Sequence, residues 1–500
     1  MTINLHKFAI LQLLLVQIAS STVFYPNCSI PTQNSDFVSG PDVRSTLDIL
    51  YGSLITIFLC TWTAQHLCLP PPPKEGTRYL LQICQSVWRK LKWMLVAIIM
   101  PEFMVGKALG DFIATYRSSR CEVMQKHARR SNTEWTMTHA FYANMGGVIL
   151  REGASDQRAN PCDSPFPSSA LREDQSPSQP TSRTSITTRV LDRYLCRAVG
   201  VWSRQHDMWT EDDYLPKYPS SLTSFTLPVA VNSAHLCALI SRGLIQQLPS
   251  ISKIEIQDKS KEDLVVKALT LGQVGWFIIQ LAVRKAKHLP CSQLEIAVLG
   301  FAICTCITYV LWLRKPKDIK VGTDVSTTHK LTVNDKVKIV WLNHSGFFEN
   351  SLLGTTGRKP TLAIPNDIIN METTLFYYKE YHTLDGEDLG FIIGAVVFGA
   401  CHCIAWDFDF PTAVEQTTWK ATSIYTVAAM PVLYFSWAFL SWTKLIDKFD
   451  GLLRRALSCT TYGLYALCRV FIMVELFRSL AYLPPEAFLA TWSASLPHVN

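Results

Sequence analysis

Six apolar stretches alternate with charged ones along this 500-residue chain. They run from Ile49 to Leu67, Ala268 to Val283, Ile296 to Leu313, Leu389 to Trp406, Ala421 to Trp442 and Thr460 to Leu483. The fifth holds twenty-two residues without one charge. A bilayer span takes about 20 mostly apolar residues, and soluble cores seldom supply several such runs. The pattern predicts an all-α protein, a polytopic membrane helical bundle of about six transmembrane helices with cytosolic loops. A further apolar run, 94–109, is interrupted by Pro101, Glu102 and Lys107, and reads as an interfacial or re-entrant helix rather than a span.

The polar segments fix the rest of the organisation. Residues 1–21 read as a signal peptide: His6 and Lys7 precede the apolar run Phe8 to Ile18, and the small residues Ala19, Ser20 and Ser21 follow. A lumenal segment, 22–48, carries the glycosylation sequon at Asn27. The first span, 49–67, is closed by Pro70 to Pro73, through which no helix continues. Residues 111–263 form a cytosolic region. Within it the Ser-, Pro- and Arg-rich stretch 151–188 has little to bury and is predicted to be a disordered insertion. A transmembrane hairpin at 268–313, a cytosolic loop at 314–388, three transmembrane helices across 389–483 and a lumenal tail at 484–500 complete the chain.

Composition agrees with this class. The chain is 48% hydrophobic and 17% charged, with a mean hydropathy of +0.14, against about 25% charged residues in average soluble proteins. The net charge of +7 is read as basic cytosolic loops, not as affinity for nucleic acid. Six spans with a lumenal N-terminus put nearly all the Lys and Arg between spans on the cytosolic side. Arg284, Lys285 and Lys287 are the exception, and the second sequon, at Asn343, falls in the cytosol. Most of the fifteen cysteines sit in apolar runs and read as small hydrophobes. Cys28 and Cys291 are the two placed in the lumen, where a disulfide could join them.

Several strings, in this order along nearly the whole chain, resemble a large group of multi-spanning membrane proteins of filamentous fungi. They include Thr46-Leu-Asp-Ile-Leu-Tyr51, Pro101-Glu-Phe-Met-Val-Gly-Lys-Ala108 and Thr138-His-Ala-Phe-Tyr-Ala-Asn-Met-Gly-Gly147. Further on stand Gln293-Leu-Glu-Ile-Ala297, Tyr309-Val-Leu-Trp-Leu-Arg-Lys-Pro316, His402-Cys-Ile-Ala-Trp406 and Leu483-Pro-Pro-Glu-Ala-Phe488. The resemblance implies a membrane topology and a fungal origin, together with an accessory place in secondary metabolism. It carries over no catalytic residue.

Ionisable residues at membrane depth are costly, so they are the candidate chemistry. Glu475 and Arg478 stand at i,i+3 in the last apolar stretch, with Arg469 two turns earlier, and read as a buried ion pair that locks packing or handles a proton or substrate. His402 lies near Asp407 and Asp409 at a predicted helix end. The two aspartates project differently on a helix, so no metal is expected there. Lys107 and Asp111 stand at i,i+4 as an interfacial pair, and Glu102 follows Pro101 at a helix start.

No nucleotide loop, dinucleotide fingerprint, nucleophile elbow or zinc helix motif occurs. Three classes remain open. One is a cofactor-free membrane-embedded cyclase or isomerase of a lipophilic small molecule, with Glu102, His402, Asp407 or Glu475 as proton donor. The others are a transporter, and an anchor in the lipid bilayer whose loops hold cytosolic protein partners.

Overall fold

The computed structural model describes residues 43–72, 76, 78–153, 223–260, 264–342, 359–367, 374–376, 384–443 and 451–491. The expected signal peptide, the sequons at Asn27 and Asn343, Cys28 and all but the start of the 151–188 insertion lie outside the described residues.

The described chain is mostly helical. Six helices build one bundle: α1 (Thr46–Thr63), α2 (Tyr79–Ile99), α3 (Pro101–Arg120), α8 (Leu264–Ala286), α9 (Gln293–Leu311) and α11 (Gly386–Cys403), with α12 (Ala413–Trp442) and α13 (Gly451–Arg478) packed beside them. Three of these, α1, α9 and α11, are long and apolar enough to cross a membrane. The other three expected spans fold as α8, α12 and α13. Outward faces of the bundle are apolar: Leu54 and Phe58 on α1, Val432, Phe435 and Phe439 on α12, Leu467, Val470 and Val474 on α13.

Pro101 decides the most unusual element. It has no N–H to continue α2 but suits the first position of a new helix, so the single helix expected over 94–109 is instead two, meeting at Met100 with a bend of 108°. Midway along α2, Arg89 donates to the Cys68 carbonyl (2.9 Å) and Lys90 pairs with Asp318 (2.6 Å), while α3 runs out into the polar region. The tip lies against Gly394, eight residues along α11, which is about 12 Å from that helix's start. The pair is therefore a bent helix hairpin whose tip packs against the middle of α11.

Glycines let it in. A Cβ on Gly390 would stand 2.8 Å from the Gly106 Cα, and one on Gly394 would stand 2.7 Å from the Glu102 Cα. Gly106 and Gly110 on α3, with Gly390 and Gly394 on α11, all at i,i+4 spacing, bring the two backbones into antiparallel contact, as small residues do between membrane helices. This is the most extensive helix contact among the described residues.

The polar region is not loop. It folds as a small α/β unit with α4 (Glu122–Arg130), α5 (Met137–Asn144), α6 (Ser233–Ser241), α7 (Lys253–Lys259) and α10 (Val333–Leu342) around a sheet of β1 (Val148–Arg151), β2 (Val229–Val231) and β3 (Thr323–Ser326). The order is β2-β1-β3, with β1 antiparallel to β2 and parallel to β3. A second pair, β4 (Thr374–Phe376) and β5 (Leu384–Asp385), is antiparallel. The all-α expectation fails here because strands of two to four residues are too short for alternation to show. The unit has its own core, including Met124, Tyr142, Leu150, Leu236 and Ile245. It meets the bundle where Phe141 packs on Ala108 and Trp312.

On the opposite side a clamp holds the chain's late residues. Arg44 pairs with Glu295 (2.5 Å) and donates to the Ala487 carbonyl (2.7 Å). Arg284 donates to the carbonyls of Pro290, Ala487 and Leu489 at 2.6, 3.0 and 2.8 Å. Glu295 also caps α9, accepting from the Ser292 N–H (2.8 Å). Arg284, one of the three basic residues that offended the charge rule, is thus consumed as a buried structural donor.

His235 makes the α/β unit sensitive to acid. Its Nδ1 accepts the Asn232 N–H (3.1 Å), so Nε2 carries the proton and donates to the Ile339 carbonyl (2.9 Å). A proton on Nδ1 would face an N–H, and burial drives the imidazole down to about 4 from 6.5 against the help of the Ile339 carbonyl. Between these values the unfolded chain binds a proton that the folded one refuses. Stability is full above about pH 6.5 and falls as pH drops toward 4, by roughly 3 kcal/mol in all. Thermal midpoints at pH 7.5 and pH 5 check this: the difference should shrink in His235→Gln, and an unchanged difference would refute the assignment.

Candidate functional site

Two groups of buried ionisable residues lie along the α3–α11 seam. The first stands where the bundle meets the α/β unit. Lys107 Nζ is 2.9 Å from Asp111 Oδ1 and 3.1 Å from Glu387 Oε1. Lys315 Nζ is 2.6 Å from Asp111 Oδ2 and sits 4.1 Å above the Trp312 ring. All four side chains are buried. The expected pair Lys107–Asp111 therefore exists, as half of a buried four-residue cluster. Lys315 is delivered by the turn after α9, and Glu387 by the first turn of α11. Nearby, Lys317 donates to the Thr63 carbonyl (2.6 Å) at the end of α1, where a cation suits the helix dipole.

The second group occupies the hairpin tip. Glu102 is 0% exposed. Its Oε1 accepts from the Tyr465 hydroxyl (2.7 Å), and its Oε2 accepts no hydrogen bond but lies 3.9 Å from an Arg469 nitrogen. Arg469 donates to the Ile99 carbonyl (3.1 Å), at the last residue of α2, and its guanidinium lies 4.2 Å from the centre of the Phe398 ring. Beside the tip a cavity of about 10 Å³, lined by Cys60, Ala97, Pro101, Met104 and Cys304 among others, has room for about one water. One turn of α11 beyond Phe398, His402 is buried with Nδ1 2.7 Å from the Phe398 carbonyl and its ring packed against Trp419.

A third polar set links α11 to its neighbours: Tyr434 donates to Asp388 (2.8 Å) and shares a hydrogen bond with Tyr462 (3.1 Å).

Of the residues singled out from the sequence, the structure joins Glu102 with Arg469 and Lys107 with Asp111. It separates the rest. Arg478 forms its ion pair with Glu415 of α12 and acts on Glu475 through charge alone, without the expected contact. Glu475 is buried with Oε1 outside any hydrogen bond, and Arg469 points to the hairpin instead. Asp407 is 90% exposed at its side chain and reaches only Lys420, at 3.9 Å, so it does not share an environment with buried His402. No cluster of metal-ligating side chains occurs among the described residues.

Sequence reasoning missed Glu387, Lys315 and Tyr465. The first two lie just outside the apolar stretches. A usable signal was present in Gly386-Glu-Asp-Leu-Gly390-Phe-Ile-Ile-Gly394, whose glycine repeat marks a close helix approach beginning beside an acidic residue.

The model of one family matches residues 13–163 and 230–345, more than half of the chain. The chain belongs to DUF8562, a family of unknown function. The matched segments contain the bent helix hairpin, Lys315 and most of the α/β unit, whereas Glu387, His402, Tyr465 and Arg469 lie beyond them. No curated protein and no solved structure matches the chain.

Proposed function

We propose that this protein is a proton-coupled transport component of an endomembrane, with Glu102 as the residue that takes up and releases the proton. The observation that carries the reading is the position of Glu102. It is a fully buried carboxyl at the tip of a re-entrant hairpin, midway along α11, with one oxygen bound by Tyr465 and the other facing Arg469. Non-helical backbone at membrane depth is tolerated only where protein or a water-lined space surrounds it, and broken helices with ionisable residues at mid-membrane recur at the binding sites of transporters. The adjoining cavity is too small for a lipophilic metabolite, which counts against the cyclase or isomerase alternative.

Six spans belong to the same proposal: α1, α8, α9, α11, α12 and α13, with the hairpin entering from the side of the α/β unit. The apolar outward stripes of α12 and α13 support counting both, since such surface is unfavourable in water and natural against lipid. With the basic loops in the cytosol, both termini are lumenal, Asn27 is glycosylated after removal of a signal peptide, and the α/β unit is cytosolic. The fungal resemblance supports an accessory role in secondary metabolism. A deletion strain would then convert its metabolites normally but distribute them differently between cells and medium.

The direct test is proton flux into proteoliposomes, read with an enclosed pH-sensitive dye under an imposed gradient. The parent protein should exceed protein-free vesicles, and Glu102→Gln should fall to their level. Equal flux in the parent and in Glu102→Gln would remove Glu102 from the mechanism, and a parent no better than empty vesicles would remove the function itself.

A further inference from the structure

We infer that Cys121 and Cys237 form a reversible dithiol–disulfide site that ties the end of the re-entrant hairpin to the core of the α/β unit. Their sulfurs are 3.4 Å apart, while the two residues stand 116 positions apart in sequence. A disulfide needs about 2.05 Å between sulfurs, so closure takes little more than side-chain rotation. The two thiols differ in access: Cys121 is half-buried and Cys237 buried. Cys121 directly follows the last residue of α3 and precedes α4, and Cys237 lies in the middle of α6. Both pack against the same hydrophobic core.

The accessible thiol is the one that an external disulfide can reach. Cys121, as its thiolate, attacks one sulfur of glutathione disulfide and expels glutathione thiolate, giving a mixed disulfide. Cys237, as its thiolate, then attacks the Cys121 sulfur and expels the second glutathione. Two protein thiols and one glutathione disulfide become one protein disulfide and two glutathione thiols, with no other oxidant needed. The buried partner at contact distance is what carries the reaction past the mixed disulfide. In a reducing compartment the site rests as the dithiol, and its oxidation is transient. Oxidation would pin the outer end of α3, the helix that carries Glu102, Lys107 and Asp111. The inference does not depend on proton transport.

The test uses the full chain in detergent micelles. The protein is incubated with glutathione disulfide, quenched in acid, denatured, tagged with a maleimide and digested without reductant for mass spectrometry. The expected product is a cross-linked peptide pair containing Cys121 and Cys237, lost on treatment with dithiothreitol. Exposed Cys84 serves as a control, and Cys84→Ser should leave the cross-link unchanged. Cys121→Ser should leave Cys237 carrying the maleimide tag. Two outcomes would overturn the inference: both cysteines tagged after incubation, or a stable glutathione adduct on Cys121 with Cys237 still tagged.

Discussion

Lys107→Met should make this protein markedly easier to unfold. Lys107 is the shared donor of its cluster, 2.9 Å from Asp111 and 3.1 Å from Glu387. Without it those carboxylates are left with Lys315 as the remaining cation of the cluster, and Lys315 pairs with Asp111 rather than Glu387. Removing one partner of a buried ion pair typically costs about 3–5 kcal/mol, because the other charge stays buried without compensation. The thermal midpoint of the detergent-solubilised protein, followed by tryptophan fluorescence, should fall accordingly. The double variant Lys107→Met with Glu387→Gln removes one cation and one carboxylate together, leaving Asp111 with Lys315. It should recover much of the loss, since the two sites are in contact and non-additive. A Lys107→Met protein that melts with the parent would show that the cluster is not a cohesive unit.

A single methyl group at Gly390 should also be poorly tolerated. Its Cβ would lie 2.8 Å from the Gly106 Cα, the Leu109 Cβ and the Val105 carbonyl oxygen. Two of those atoms are backbone and the third cannot rotate away, so the whole of α3 must shift. Overpacking of this kind costs about 1–3 kcal/mol, and here it displaces the hairpin that holds Glu102. Gly390→Ala should therefore lower the melting midpoint and proton flux together. Gly275→Ala is the contrast: nothing lies within 4 Å of its Cβ position, and alanine favours helix over glycine by about 1 kcal/mol. If the two alanines behave alike, the close approach of α3 and α11 is not what holds the hairpin.

How much of this was legible in the sequence differs by element. Helices at all six apolar stretches were readable, because long runs of one character survive any local ambiguity. The break at Pro101 was visible as an interruption, but its depth was not: that depends on Gly106, Gly110, Gly390 and Gly394, which meet across nearly 300 positions. The α/β unit was legible only as a polar region around a Ser/Pro-rich insertion, because its strands are short and its core is assembled from segments before and after that stretch. Within the candidate site, Lys107 with Asp111 was found from spacing on one helix. Glu102 with Arg469 was not readable as a pair, since no local rule joins α3 to α13. The Glu475–Arg478 expectation shows the converse failure. Spacing permitted the contact, and a carboxylate on another helix took the arginine instead.

The clamp around Arg44, Arg284 and Glu295 has a consequence for how the protein is made. Arg44 and Glu295 leave the ribosome long before Ala487 and Leu489, the carbonyls that complete their setting. Until the chain has been synthesised through Leu489, Arg44 and Arg284 have Glu295 and Pro290 as acceptors but lack the carbonyls of Ala487 and Leu489. The contacts that join α8 and the segment before α1 to the late residues are thus completed last, and a chain cut short before Pro484 would leave both guanidiniums with fewer acceptors than the full-length protein gives them.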